Sequence, residues 1–502
     1  MRNPFKRKQR EPGTRREPFV RAYQTSLPDA PEATEKANLN PPDADVRHKL
    51  GELRAKSRQE VQRNPLGKSI ILAMQRNVIS ARGVRLRSKH ENQNAKRALE
   101  RAWVKWGRTS GVNNASWLDI QRQVLHSLIV DGEAFVQLGI RDGRLALRVR
   151  DAQTIDPGNN YVSYDGNPIT MGIERDVETH EPVAYLFNEP PLVTGSWASE
   201  SYHYTTAYAA ERVPANQILH IYDRSVAATT RGVPWLAPTT ITAELLRHYA
   251  ESEKIAARTS ASLYAVFKRT EGDVSLDQEQ REFYRDNMKM RAGGAIFAPE
   301  GYDVNVETPT HPSGSYEQFT QAGHREIAAA VGIAAHTLDG NLSGINFSAG
   351  RIGSLNERET FAIVRQMIVD GLHEMVFSTW LPMAYVGPDR LRLVGELAML
   401  EDVQFVGKAA EHIQPREQSA ADKIYIELGV KSPSEVIRDR GEDPVDVFDE
   451  IKADKARFEE LGLSYPSAQS AAPQQAPASD ESESESEEEE DEEGNLPQAS
   501  GQ

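Results

Sequence analysis

The sequence predicts an α+β fold with helices longer than globular proteins usually carry. Two observations point there. Apolar residues recur at helical spacing over several stretches, and between those stretches the period switches to short apolar runs set around Gly-containing turns. A third observation narrows the setting: the 502-residue chain has no cysteine. Disulfides and thiolate metal sites are therefore excluded, and the chain suits a reducing cytosol.

A chain of this length implies two to four substructures. Its net charge of −15 is unevenly placed. Residues 1–21 are basic and residues 480–493 are a run of Asp and Glu broken only by Ser. The body between them is still acidic, which opposes a tight DNA-binding scaffold, because each neutralised phosphate adds salt-sensitive affinity. DNA contact should be sparse or sliding. No apolar run reaches the roughly 18 residues of a membrane helix. The basic N-terminus lacks the apolar segment of a secretory signal.

Residues 1–45, rich in Pro, Arg and Asn, read as a disordered basic arm. Helices are expected over 46–64 and 68–80, separated at Asn64-Pro65, and over 92–107, where Ala98, Leu99, Ala102, Trp103 and Trp106 share a face. Ser116 caps the next helix. Trp117, Ile120, Val124 and Leu128 form its stripe, and Asp131-Gly132 ends it. Ala134–Ile140 and Leu145–Val149 flank Asp142-Gly143 and read as a hairpin. Met171–Arg175 with Pro182–Phe187 reads as a second hairpin, and Gln217–Tyr222 as a further strand. Residues 188–212 read as a long loop. Pro234 and Pro238 open an Ala-rich helix, Leu236–Ser262, that would span about 40 Å. Residues 263–312 return to strand and turn signals. A helix follows from Ser315 to Ala330. Next come a polar loop, Asp339–Ser348, and a long helix, Ala349–Thr379, stopped by Pro382. Short helices run from Pro415 to Glu460, and 465–502 is a disordered acidic tail.

Motifs for chemistry fail on inspection. Leu66-Gly67-Lys68-Ser69 resembles the end of a phosphate loop, but Gln62 stands where its first Gly is needed. In Gly340-Asn341-Leu342-Ser343-Gly344 the serine is one place late for a nucleophile elbow. His373-Glu374 lacks the second His of a zinc helix. The acidic run lacks the Gly turn of a calcium loop. No catalytic residue, metal ligand or cofactor site is assigned.

Read in order, several segments resemble the lambda family of phage portal proteins. These are Arg63-Asn64-Pro65 with Asn77-Val78-Ile79; Asp131-Gly132-Glu133-Ala134-Phe135; Gly172-Ile173-Glu174-Arg175-Asp176; and Pro182-Val183-Ala184-Tyr185. The most specific is Val213-Pro214-Ala215, then Ile218-Leu219-His220-Ile221-Tyr222, leading to Arg231-Gly232-Val233-Pro234-Trp235-Leu236-Ala237-Pro238. Ser343-Gly344-Ile345-Asn346-Phe347-Ser348 with Arg351 follows, then Gly429-Val430-Lys431-Ser432 and Arg440-Gly441-Glu442-Asp443. Ser80 and Arg82 replace expected glycines, and Phe347 replaces a tyrosine.

The resemblance implies a non-enzymatic portal architecture with no cofactor. It assigns a mixed α/β wing (46–234), a stem helix (235–262), a small clip (263–312) and a second stem helix (313–338). A tunnel loop (339–350), a tunnel helix (351–395) and a helical crown-like region (396–464) follow. It implies a homo-oligomeric ring, usually a dodecamer, in the virion at one capsid vertex, assembled in the host cytoplasm. Double-stranded DNA would pass through it. The terminase large subunit and then the head-tail connector would dock on it, beside the major capsid protein and scaffold, with no membrane. On this reading Asn341, Ser343, Gly344, Asn346, Ser348 and Arg351 face the DNA, the neutral groups touching phosphates without reading sequence. Trp235, Leu245, Leu246 and Ile255 pack the stem between neighbours, burial within one subunit being the equal alternative for Trp235. A DNA-binding assembly scaffold, or a DNA-processing enzyme of the packaging machinery, is the competing class.

Overall fold

Local signals set most helix starts. The Asn64 side chain accepts from the Leu66 amide and Pro65 sits at the first helical position, so α2 (Leu50–Arg63) gives way to α3 (Pro65–Met74) without a loop. Asn92 caps α4 (Gln93–Gly107), and Ser116 with Asp119 makes a reciprocal capping box on α5 (Trp117–Val130). A short α1 (Pro42–Arg47) precedes them. This computed structural model describes residues 42–188, 210–260 except 228, 264–269, 277–279, 282 and 302–307. It also describes 316–408 except 344, 345, 388 and 390, and 415–465 except 443 and 464. Most of the expected basic arm, of the acidic tail, of the loop at 188–212 and of the region 263–312 lies outside these residues; Pro42–Asp45, expected in the disordered arm, instead opens α1.

Asp142 and Gly143 both take positive φ, 53° and 72°, which matches the right-handed twist of the strands they join. The hairpin of β2 (Glu133–Arg141) and β3 (Arg144–Arg150) forms as expected, and β9 (Ile218–Tyr222) pairs antiparallel with the other edge of β2. A second sheet has the order β4-β5-β6-β7-β8, from Tyr161–Val162, Pro168–Thr170, Ile173–Arg175, Pro182–Phe187 and Glu211–Pro214. Its β6–β7 core is the second expected hairpin; β4 and β5 are too short to show a period. β1 (Arg85–Ser88) pairs with β12 (Val403–Val406) across more than three hundred residues. β10 (Tyr264–Arg269) pairs with β11 (Tyr302–Glu307).

The chain divides into two compact units at Gln418/Ser419. In the first, the main core gathers Trp103, Trp106, Trp117 and Trp380, with Trp103 and Trp106 each touching the others at ring-centroid distances of 4.7–6.0 Å. A smaller core of Phe135, Ile155, Tyr185, Phe187 and Val213 sits under the second sheet. After α11 (Leu397–Leu400), α12 (Pro415–Glu427) crosses into the second unit, whose described residues continue with α13 (Pro433–Asp439) and α14 (Pro444–Glu460), so three helices cover the expected 415–460. No helix among the described residues is long and apolar enough to cross a membrane.

Three boundaries differ from expectation. The Ala-rich helix α6 spans Thr240–Ser260, not from Leu236, because Ala237–Thr239 forms a 3-10 turn. There the hydroxyls of Thr239 and Thr240 both donate to the Leu236 carbonyl. Beyond α7 (Tyr316–Val331) and α8 (Ala335–Asp339), the polar loop ends at Asn346, since α9 already starts at Phe347. Pro382 does not stop the next helix. α9 (Phe347–Ile368) runs through a π-turn, Val369–Glu374, into α10 (Met375–Val386), with Pro382 inside. Burial of Trp380, Leu381 and Ala384 on both sides of Pro382 outweighs its roughly 3 kcal/mol helix cost.

Candidate functional site

The two long helices between the sheets pack on each other. Leu246 of α6 meets Gly323 of α7, and Tyr249 meets Phe319 and Tyr316, with ring centroids at 4.8 and 5.5 Å. One partner number rises as the other falls, so the helices are antiparallel. A Cβ at Gly323 would lie 2.7 Å from the Leu246 methyls, so the glycine permits this approach. On its other faces α6 is exposed: Arg247 pairs with Glu251 in solvent, and Ile255 is 66% exposed.

The root of α6 is held by a buried charge cluster. Glu133 opens β2, and its carboxylate accepts from Arg54 of α2, from Arg231, from the Gly232 amide at 3.1 Å and from His220 of β9 at 2.8 Å. Two guanidiniums share one carboxylate, and carbonyls complete their shells. Arg231 donates to Met171 O at 2.6 Å and to Ile155 O at 3.3 Å; Arg54 donates to Asp131 O and Ala152 O, each at 3.0 Å. Burial alone would push the Glu133 carboxyl up, but Arg231, Arg54 and His220 together hold it well below the usual range. Burial pulls Arg54 down to about 10 despite Glu133, and it lowers His220 as well. With Arg54, Glu133 and Arg231 at 0–1% exposure, no substrate reaches this cluster; it ties four segments together. Beside it Gly132 and Gly232 cross so closely that a Cβ at Gly132 would stand 2.2 Å from the Val233 carbonyl carbon. Trp235 then donates its amide to Ile129 O, and α6 follows.

The polar loop 340–346 is fixed at both ends. Asp339 pairs with His324 of α7 at 3.0 Å, and its other oxygen accepts from the Asn341 amide. Asn341 in turn accepts from the amide and hydroxyl of Ser343. Asn346 caps α9 by accepting from the Ala349 amide at 2.8 Å. Glu357 of α9 accepts from Ala334 N and Thr337 Oγ1, which pins α8 from the far side.

The structure separates the residues expected to act. Asn341, Ser343 and Asn346 do share one anchored loop, with Ser343 and Asn346 exposed and Asn341 half-buried. Gly344 lies outside the described residues. Ser348 and Arg351 are exposed on the first turns of α9 rather than in the loop, and Arg351 already has an interaction partner. On α6, Leu246 is 8% exposed, buried within its own chain. Trp235 is half-buried against the main core, while Leu245 and Ile255 are exposed. Sequence reasoning missed the cluster of Arg54, Glu133, His220 and Arg231. Its signal was present, as a charged residue beside a glycine in both Gly132-Glu133 and Arg231-Gly232.

A family model described as phage portal protein, lambda family, matches residues 31–365. The probable portal protein of Halomonas phage phiHAP-1 is 25% identical over 474 residues, covering 89% of this chain and 88% of its own. Among solved structures, the neck of an empty GTA particle computed with C6 symmetry is similar at a TM-score of 0.47. It is 15% identical and covers 82% of this chain and 97% of its own. An HK97 family phage portal protein from Corynebacterium diphtheriae is similar at 0.34, with 10% identity, 72% of this chain and 96% of its own.

Proposed function

The chain belongs to the lambda family of phage portal proteins, structural subunits of the capsid vertex, and from that membership we propose how its parts serve the portal. Copies assemble as a dodecameric ring in the virion, formed in the host cytoplasm, through which double-stranded DNA enters and leaves. The family match over 31–365 carries this reading. The antiparallel α6–α7 pair is the stem, with β10 and β11 beyond it as part of the clip that meets the terminase large subunit and later the head-tail connector. The wing contacts major capsid protein and scaffold. The chain performs no catalysis of its own.

The loop 340–346 is the segment that meets DNA. Its anchoring by Asp339–His324 and by the Asn346 cap supports this, because a lumen loop must keep its position while the duplex slides. Its contacts are neutral amides and hydroxyls, which position a phosphate backbone without gripping it. Arg351 adds little, being engaged elsewhere. The acidic body agrees with weak contact.

Deleting 341–346 tests the loop: rings form, yet packaging or retention of DNA falls. Unchanged DNA filling sinks the loop assignment. Negative-stain images of the purified chain test the ring, and monomers alone at high concentration would remove it.

A further inference from the structure

Residues 82–108 hold nine Lys and Arg against two Glu, a balance of +7 in a chain whose net charge is −15. The acidity of the body is therefore uneven, and its opposite is collected on β1 and α4.

α4 buries Ala95, Leu99, Ala102, Trp103 and Trp106. Arg97, Arg101, Lys105 and Arg108 fall at i, i+4, i+8 and i+11, within about 80° of the helix circumference and on the side away from the tryptophans. All four are exposed and form a straight row about 16 Å long. Arg101 and Arg108 make no ion pair among the described residues, while Arg97 has another interaction. Lys105 pairs with Asp389 at 3.5 Å yet stays 65% exposed, and Arg144 reaches the same carboxylate at 3.4 Å. Arg141 donates to the Thr109 carbonyl at 2.6 Å, which sets it beside Arg108. The β2–β3 hairpin thus lengthens the row by two guanidiniums, against the carboxylates of Asp389 and the turn residue Asp142. Glu100 of α4 is turned to β1, where it accepts from the Ser88 amide and pairs with Arg87.

Like charges at i and i+4 weaken a helix, so this row costs stability that a bound polyanion returns. A protein partner would need an apolar or aromatic anchor. The row offers only Val104, because Trp103 and Trp106 face the core. Phosphates need only cations, and a guanidinium can meet one with two hydrogen bonds at once. We propose that the α4 row is a contact surface for duplex DNA, separate from the loop 340–346, that holds phosphates without reading sequence. From the portal reading it takes only that DNA is what the particle handles.

Fluorescence anisotropy of a short labelled duplex with the purified full chain tests this. Two unrelated sequences should bind alike, with affinity falling steeply as salt rises. Arg97→Gln, Arg101→Gln, Lys105→Gln and Arg108→Gln combined should make the log–log salt slope shallower by about 3–4 and weaken binding at moderate salt by about tenfold or more. Gln is close to Arg and Lys as a helix former. Should the combined variant still fail to fold, Arg101→Gln alone should make the slope shallower by about 1. Deleting 341–346 should leave this binding unchanged. Unchanged binding in the Gln variants, or loss only on deleting 341–346, overturns the row. So does a peptide of residues 480–493 that binds the row while the duplex does not, which would assign the row to an acidic protein segment. A chain that fails here can still pass the DNA-filling test of the loop, so the two readings fail separately.

Discussion

Arg231 reaches Glu133 across 98 residues of chain and donates from Nε to both carboxylate oxygens, at 2.8 and 3.1 Å, with both side chains out of solvent. This bond joins the start of the first sheet to the segment that leads into α6. Removing the carboxylate leaves two guanidiniums buried together.

Glu133→Gln is therefore expected to cost about 3–5 kcal/mol in denaturant unfolding. Arg231→Lys should also be costly, because an ammonium cannot reach the carboxylate and the carbonyls of Ile155 and Met171 at once. The acid limb carries a further signature. Glu133 is held below its unfolded value near 4.5, so its stabilisation is present above that pH and is lost as pH falls below it. Acid unfolding of Glu133→Gln should be shallower than that of wild type.

Gly132 and Gly143 both take positive φ, at 86° and 72°, but only Gly132 faces another backbone. Gly132→Ala should cost about 3 kcal/mol or more, because neither the Val233 carbonyl nor Pro234 can give way. Gly143→Ala meets open space and should cost about 1 kcal/mol from the left-handed backbone alone. Equal losses would show that the crossing at Gly132 is not tight.

Glu60 on α2 gives the opposite pH response. Burial pushes it up to about 6, against the Asn64 hydrogen bond and Arg247, with Glu244 adding to the rise. The folded protein then holds a proton that the unfolded chain releases near 4.5. Its contribution is most favourable at low pH and is lost as pH rises through about 6. Thermal unfolding should find Glu60→Gln more stable than wild type at pH 8, with the gap closing toward pH 4.5; a pH-independent gap would contradict this.

On α6, Leu246→Ala should cost about 2–5 kcal/mol of subunit stability, since it empties the contact with Gly323. Ile255→Ser, at an exposed position, should leave subunit stability within about 0.5 kcal/mol. Native mass spectrometry of Ile255→Ser then reads any role between copies, because the subunit itself is intact.

What the linear sequence determined was local. Helix starts at Asn64, Asn92, Ser116 and Asn346 follow from side chains that reach a backbone amide two or three residues away. The Asp142-Gly143 hairpin needed only its turn chemistry. The portal family was legible too, since its motifs lie in short stretches. Tertiary structure decided whatever depended on distant partners. Pro382 reads as a stop, and the core around Trp380 keeps the helix going. Leu246 reads as an interface residue, and the absence of a side chain at Gly323 buries it. In the sequence Glu133 stands only as part of the Asp131–Phe135 segment, and the arrival of Arg54, His220 and Arg231 makes it a buried charge centre. Local energies act over a few residues and can be read from spacing. Burial and charge pairing act between elements that only the folded chain brings within hydrogen-bond reach.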